Sequence, residues 1–146
     1  MTGAPRPILV ERAIGAPIDE VYAAWTTPEL MARGLSPTGR ADVEADVRVG
    51  GRFRVVMIDS DTRLEHHGEY VQLDPPSLLV FTWVSEYTGP EPSVVTVRLS
   101  DLGESTLVRV SHDGLPGTTA ASHAGGWTAI LERLDEAMTE RAADGR

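Results

Sequence analysis

The segment from Ser122 to Met138 most constrains the fold, because it is a long amphipathic helix that follows a series of short strands. Its apolar residues recur at the three-and-four spacing of one helical face. They are Trp127, Ile130, Leu131, Leu134 and Met138. A single antiparallel sheet with one apolar face needs a cover of this kind. The sequence therefore predicts an α+β fold in which a long C-terminal helix packs across a sheet.

Residues 6–15 alternate polar and apolar positions and predict a first strand. Its predicted inward residues are Ile8, Val10 and Ala13. The period then changes to that of a helix, with Ile18, Val21, Tyr22 and Trp25 on one face. Thr27-Pro28 is typical of the start of a second short helix, which Gly34 is expected to end. Two short helices should thus follow the first strand.

Six more strands are predicted between residues 40 and 112. Turn residues separate them at Gly50-Gly51, Asp74-Pro75-Pro76 and Asp101-Leu102-Gly103-Glu104. Such short connections favour antiparallel hairpins. The sequence therefore predicts about seven antiparallel strands, and we expect one domain over residues 1–146 with a core from about residue 8 to residue 142.

The composition excludes several classes of function. A net charge of −9 opposes binding to nucleic acid, because that affinity depends on clustered basic residues. The absence of cysteine removes disulfides, thiolate nucleophiles and the usual zinc frameworks. No apolar run approaches the 20 or so residues of a membrane helix, and the N-terminus lacks the pattern of a signal peptide. We expect a soluble cytoplasmic protein with no membrane insertion and no cofactor.

The cluster "EHHGE" at residues 65–69 raises the question of a metal site. Neighbouring residues of a strand point to opposite faces, so His66 and His67 cannot share an ion without a bulge. We therefore expect no metal. The chain also lacks the glycine-rich motifs of nucleotide-binding proteins and the G-x-S-x-G elbow of serine hydrolases.

Five motifs carry a family resemblance when they are taken in order. They are "APIDEVYAAWTTPE", "DVRVGGRFRVVM", "GEYVQLDPPSLLVFTWV", "SVVTVRL" and "HAGGWTAILERL". Together they resemble the START-like (SRPBCC) superfamily, and within it the branch named for the activator of the ninety-kilodalton heat-shock protein ATPase. The resemblance implies a helix-grip (Bet v 1-like) fold, in which a curved sheet wraps the C-terminal helix and leaves a cavity between them.

Alternation along the strands and spacing along the helix then assign side chains to this cavity. The expected ligand-binding residues are Phe53, Val55, Met57, His66, Tyr70, Phe81, Trp83, Val95, Val97, Val110, His112, His123, Trp127, Ile130 and Leu131. Tyr70 and the histidines are polar groups that could orient a ligand. The alternative is that each one satisfies a backbone group.

His112 and His123 flank one connection, so they are also candidates for an acid and base pair. Three functions follow. The first is binding of a small hydrophobic or aromatic molecule, with Tyr70, His112, His123 and Trp127 orienting it. The second is a cyclase-like or hydratase-like enzyme that uses the two histidines as catalytic residues.

The third function is a partner module for a chaperone or a regulator. Arg48, Arg52 and Arg54 would supply its surface, although the simpler interpretation is that they form ion pairs on the convex face. The chain is expected to lack the additional N-terminal region of true co-chaperones. A homodimer remains open.

Two local features depart from expectation. Gly125 and Gly126 lie inside the predicted helix, where each costs about 1 kcal/mol relative to alanine. We interpret them as a close approach of helix and sheet, with a pocket as the alternative. Gly34 and Leu35 stand where the family usually has aromatic residues, so the cavity entrance is expected to be wider.

Overall fold

The computed structural model describes residues 7–89 and 91–144. The elements, in chain order, are β1 (Ile8–Ile14), α1 (Ile18–Thr26), α2 (Pro28–Gly34), β2 (Ala41–Ala45), β3 (Arg52–Asp59), β4 (Thr62–Asp74), β5 (Leu78–Trp83), β6 (Ser93–Asp101), β7 (Thr106–Asp113) and α3 (Ala120–Asp144). The predicted order of one strand, two short helices, six strands and a long helix is confirmed. No helix among the described residues is long and apolar enough to cross a membrane.

The seven strands form one antiparallel sheet in the order β1-β7-β6-β5-β4-β3-β2. Each strand from β2 to β6 pairs with the next along the chain, and β1 pairs with β7 at one edge of the sheet. The sheet curves around α3, as in the helix-grip fold. The predicted α+β class is therefore confirmed.

The core lies between the inner face of the sheet and α3. Alternation places Val95 and Val97 of β6 and Val108 and Val110 of β7 inward, and all four are fully buried. The inward orientation of Phe81 and Trp83 in β5 is also confirmed by their burial. Since apolar area drives folding at about 25 cal/mol per Å², this face supplies much of the stability.

The prediction for the end of β1 was wrong. Ala13 is exposed, whereas Ile14 is fully buried. Strict alternation places Arg12 and Ile14 on the same face of β1 as Ile8 and Val10. Because Arg12 is polar, the sequence alone did not indicate this register. Arg12 takes an inward position because it lies at a sheet edge, where its guanidinium reaches α3.

Asp135 fixes the middle of α3 to this edge. Its carboxylate accepts hydrogen bonds from Arg12 Nε at 3.1 Å and from the backbone N–H of Gly15 at 3.1 Å. The pair is partly exposed, so its value lies in setting the position of the helix more than in stability.

Gly68 lets two strands approach closely where β4 bends. A Cβ at this position would lie 1.9 Å from the carbonyl oxygen of Thr82 and 2.7 Å from Cζ of Phe53. The β4–β5 register shifts close by, between Tyr70 and Gln72. Only glycine fits this contact without separating the strands.

We expect Gly68→Ala to lower the free energy of unfolding by about 3 kcal/mol, because the methyl group would overlap a backbone oxygen. Gly117→Ala is the matched control, since a Cβ there meets nothing within 4 Å. Urea unfolding of both variants measures the difference. Equal midpoints would contradict the role assigned to Gly68.

Candidate functional site

A cavity of about 370 Å³ lies between the N-terminal half of α3 and the β3–β5 side of the sheet. Its lining residues are Pro37, Met57, Leu64, His66, Trp83, Tyr87, Ser122, His123, Gly126, Trp127 and Ile130. Pro37, Tyr87 and Ser122 are exposed and mark its mouth, whereas His66, Trp83, Trp127 and Ile130 are buried. The cavity therefore runs from the surface down to a wall of aromatic rings.

Three aromatic side chains form that wall. The ring of His66 stacks on Trp83 with centroids 4.6 Å apart, and Trp83 lies 5.2 Å from Trp127. Such contacts add roughly 1 kcal/mol each beyond their buried area. The wall thus presents flat, polarisable surface to anything that enters.

His112 is held in a buried hydrogen-bond network, called here the His112 network. Trp127 Nε1–H donates to His112 Nδ1 at 2.9 Å. His112 Nε2 lies 2.7 Å from the Ser93 hydroxyl, which in turn donates to the carbonyl oxygen of Trp83. Because an indole N–H can only donate, Nδ1 must accept, and the neutral imidazole therefore carries its proton on Nε2. Both ring nitrogens of His112 are engaged.

His123 stands at right angles to His112, with ring centroids 5.2 Å apart. Its Nδ1–H donates to the carbonyl oxygen of Thr119 at 2.9 Å, one turn earlier in the chain. The neutral ring therefore has Nε2 as an acceptor. His112 and His123 do meet, as the sequence predicted, but His112 has no nitrogen free to exchange a proton with a ligand.

The predicted site residues fall into three groups. Met57, His66, Trp83, His123, Trp127 and Ile130 line the cavity. Phe53, Tyr70 and Phe81 line a smaller space, described next. Val55, Val95, Val97, Val110, His112 and Leu131 are buried and line neither space, because α3 packs directly against this part of the sheet.

The smaller space, called here the inner gap, measures about 10 Å³. Its lining residues are Trp25, Met31, Leu35, Phe53, Tyr70, Phe81 and Trp83. Trp83 also lines the large cavity and so forms a wall of both. Trp25 Nε1 and the Tyr70 hydroxyl are buried without a hydrogen-bond partner.

Some lining residues were missed in the sequence. Leu64 shares the parity of His66, and Ser122 lies four residues before Gly126, so strand and helix spacing could have identified both. Pro37 and Tyr87 lie in connections, where no periodicity indicates the direction of a side chain.

The interpretation of the paired glycines as a close approach was wrong. A Cβ at either Gly125 or Gly126 would meet nothing within 4 Å. Gly126 lines the cavity, whereas Gly125 is exposed. The helix carries no side chain at position 126, and that absence contributes space to the cavity.

Gly34 and Leu35 do not form the cavity entrance. A Cβ at Gly34 would lie 3.2 Å from Leu134 Cδ1, so this glycine allows α2 to pack on α3. Leu35 is buried and faces the inner gap. The expected widening of the entrance at these residues is therefore wrong.

The polar clusters singled out in the sequence form no metal site among the described residues. His66 is buried and His67 exposed, and no group of three potential metal ligands occurs among the described residues. Arg48 pairs with Asp46 at 2.8 Å, and Arg54 with Glu65 at 2.9 Å. Both arginines are exposed, as the convex-face interpretation predicted.

Burial keeps two histidines neutral. It lowers the pKa of His112 to about 3, with a smaller contribution from the neighbouring His123 and His66. It also lowers the pKa of His66 to about 4, and His66 Nδ1 is buried without a partner. Desolvation has this effect because it disfavours the charged form of the ring.

These shifts predict that the protein loses stability in mild acid. A histidine of the unfolded chain has a pKa near 6.5, so below that pH the unfolded state binds protons that the folded state excludes until pH 4 to 3. The free energy of unfolding should fall by up to about 1.4 kcal/mol per pH unit for each ring, and by about 5 kcal/mol for both between pH 6.5 and 4.5.

His66→Phe tests this linkage, because phenylalanine keeps an aromatic ring and cannot titrate. We expect the free energy of unfolding of this variant to fall with decreasing pH less steeply than that of the wild type. The difference in slope should reach about 1.4 kcal/mol per pH unit below pH 6.5. His67→Phe, the same change on the exposed face, is the control. Parallel curves for wild type and His66→Phe in chemical unfolding from pH 7 to 4.5 would contradict the assignment.

Comparisons with known proteins agree with this architecture. CalU16 from Micromonospora echinospora is 27% identical, with a TM-score of 0.72 over 90% of this chain and 73% of its own. CV1439 from Chromobacterium violaceum is 24% identical, with a TM-score of 0.75 over 90% of this chain and 96% of its own.

DynU16, described as a protein of the dynemicin biosynthetic locus, is 25% identical, with a TM-score of 0.76. The match covers 92% of this chain but only 48% of DynU16. No curated protein sequence matches the chain.

The family model described as "Activator of Hsp90 ATPase homolog 1-like protein" matches residues 15–139, from the end of β1 almost to the end of α3. That span contains both short helices, six of the seven strands and the cavity. The chain therefore belongs to this family of Activator of Hsp90 ATPase homolog 1-like proteins, a branch of the START-like superfamily.

Proposed function

We propose that this domain binds a small apolar or aromatic molecule in the cavity between α3 and the sheet. The observation that carries the proposal is the cavity itself, which has a volume of about 370 Å³ and an aromatic wall. Binding pockets for small molecules have volumes in this range and are lined in the same way, mostly by apolar side chains with few polar groups.

Two polar groups of the cavity are suited to orient such a molecule. His66 Nδ1 is buried without a partner, and His123 has its Nδ1 engaged by Thr119. Of the orienting groups that the sequence suggested, His123 lines the cavity, whereas His112 and Trp127 satisfy each other and Tyr70 lies at the inner gap. A ligand with one or two hydrogen-bonding groups on a flat ring system fits this arrangement.

The comparisons support a role in small-molecule binding. DynU16 is described as part of a biosynthetic locus, and its match with this chain extends over nearly all of the domain. Family membership also fits, because the START-like resemblance implies an enclosed cavity.

The acid and base alternative would depend on His123. Both nitrogens of His112 are committed within the protein, whereas His123 lines the cavity and has Nε2 as an acceptor. The chaperone alternative would use Arg48, Arg52 and Arg54, which are all exposed, although Arg48 and Arg54 pair with carboxylates of this chain.

Gly126→Leu tests the binding proposal directly. The new side chain would extend into the cavity, and leucine favours the helix over glycine, so the variant should fold with stability equal to or higher than that of the wild type. With 2-isopropylnaphthalene as an apolar aromatic probe, we expect at least about tenfold weaker binding by isothermal titration calorimetry.

Gly125→Leu is the matched control, because it makes the same change one residue away on the exposed side of the helix. It should bind the probe as the wild type does. Equal affinity of the two variants, or no binding by the wild type, would contradict the proposal.

A further inference from the structure

Two buried donors in the inner gap have nothing to donate to. Trp25 and Tyr70 are 1% and 2% exposed, and neither Trp25 Nε1 nor the Tyr70 hydroxyl has a hydrogen-bond partner. A buried polar group left without a hydrogen-bond partner is unfavourable, because it has lost its bonds to water and gained none in return. Both belong to side chains that line one space of about 10 Å³, close to the minimum that holds a single water molecule.

The chemistry of the inner gap specifies an acceptor. An indole N–H only donates, and burial raises the pKa of Tyr70 to about 12, so its phenol keeps its proton. The lining residues Met31, Leu35 and Phe81 offer no nitrogen or oxygen in their side chains. A carbonyl oxygen, with two lone pairs, could accept from both donors at once. An ammonium group could donate to the phenol oxygen, but it has no lone pair to accept from the indole N–H.

The inner gap is adjacent to the proposed binding cavity. Trp83 lines both spaces, so displacement of this one indole joins them. The Trp83 indole borders empty space on two sides. It therefore loses fewer van der Waals contacts when it moves than a fully enclosed ring would lose. A ligand ring in the cavity can thus place a projecting oxygen beyond Trp83.

We propose that the ligand is an aromatic carbonyl compound whose oxygen occupies the inner gap and accepts hydrogen bonds from Trp25 Nε1–H and the Tyr70 hydroxyl. This inference rests on the proposed function, because the ring system of the ligand lies in the large cavity. It narrows the ligand from apolar or aromatic molecules in general to those that carry an acceptor, and no donor, at the inner end.

Two probes of nearly equal shape test the proposal. 2-Acetonaphthone carries a carbonyl oxygen where 2-isopropylnaphthalene has a methyl group. We expect the wild type to bind the ketone about five- to tenfold more tightly, as one or two net hydrogen bonds provide. Tyr70→Phe and Trp25→Phe should each reduce that ratio towards one.

Tyr70→Phe should fold with little change in stability, since it removes only a polar atom that has no partner. Trp25→Phe also removes buried ring carbons, so it should fold with lower stability, and circular dichroism checks that it is folded before binding is measured. Tyr22→Phe is the matched control, because Tyr22 is a largely buried tyrosine whose hydroxyl bonds the carbonyl of Leu78 and which lines neither space. It should keep the full ratio between the two probes.

Indole N–H resonances provide a second readout. In ¹H,¹⁵N spectra the Trp25 signal should move downfield with the ketone but not with the hydrocarbon, because only the ketone supplies an acceptor. Trp127 already donates to His112, so its signal should not show this difference.

The outcomes separate this inference from the proposed function. If neither probe binds, the proposed function fails. If both bind with equal affinity, or if the ratio survives Tyr70→Phe and Trp25→Phe with an unmoved Trp25 signal, the inference is overturned while the proposed function stands. The inner gap would then hold only water.

Discussion

The position of α3 depends on the hydrogen bond from the Trp127 indole to His112. A polar N–H and an imidazole lie in the middle of an apolar core, where each would cost about 1–3 kcal/mol if left unpaired. The His112 network removes that cost by passing from α3 through β7 and β6 to the backbone of β5. The same bonds therefore join the helix to three strands and fix Trp127 and the Trp83 backbone, two parts of the cavity wall.

This fixed point divides α3 into two parts that pack differently. Asp135 attaches the later part of the helix to β1, and Leu131 and Leu134 are buried in the core. Before Trp127 the helix carries short side chains or none, as at Gly126, and the sheet falls away from it. Trp127 and Asp135 hold the helix in place. Its first turns can therefore form one wall of a cavity even though they make few apolar contacts with the sheet.

Much of the fold could be predicted from the sequence, because alternation and helical spacing are local signals. The seven strands, both short helices and the inward orientation of Phe81 and Trp83 follow from such patterns. Register at the edge of the sheet did not, since Arg12 occupies an inward position and bonds Asp135 from a distant part of the chain. The candidate site was harder to predict from the sequence than the fold. Whether Gly126 marks contact or space, and whether Tyr70 faces the cavity or the inner gap, depends on how far apart packed elements lie, which no periodicity encodes.

Partnering of buried polar atoms separates structural from binding roles at this site. His112 resembled a catalytic residue in the sequence, yet both of its nitrogens are satisfied within the protein, so it costs the fold little and offers a ligand nothing. Three other buried polar atoms of the described residues are unsatisfied: Trp25 Nε1, His66 Nδ1 and the Tyr70 hydroxyl. All three belong to side chains that line the large cavity or the inner gap. A buried polar atom without a hydrogen-bond partner destabilises the folded state. Because these three atoms lie around two adjoining spaces, a bound molecule with matching groups could form the missing hydrogen bonds and remove that destabilisation.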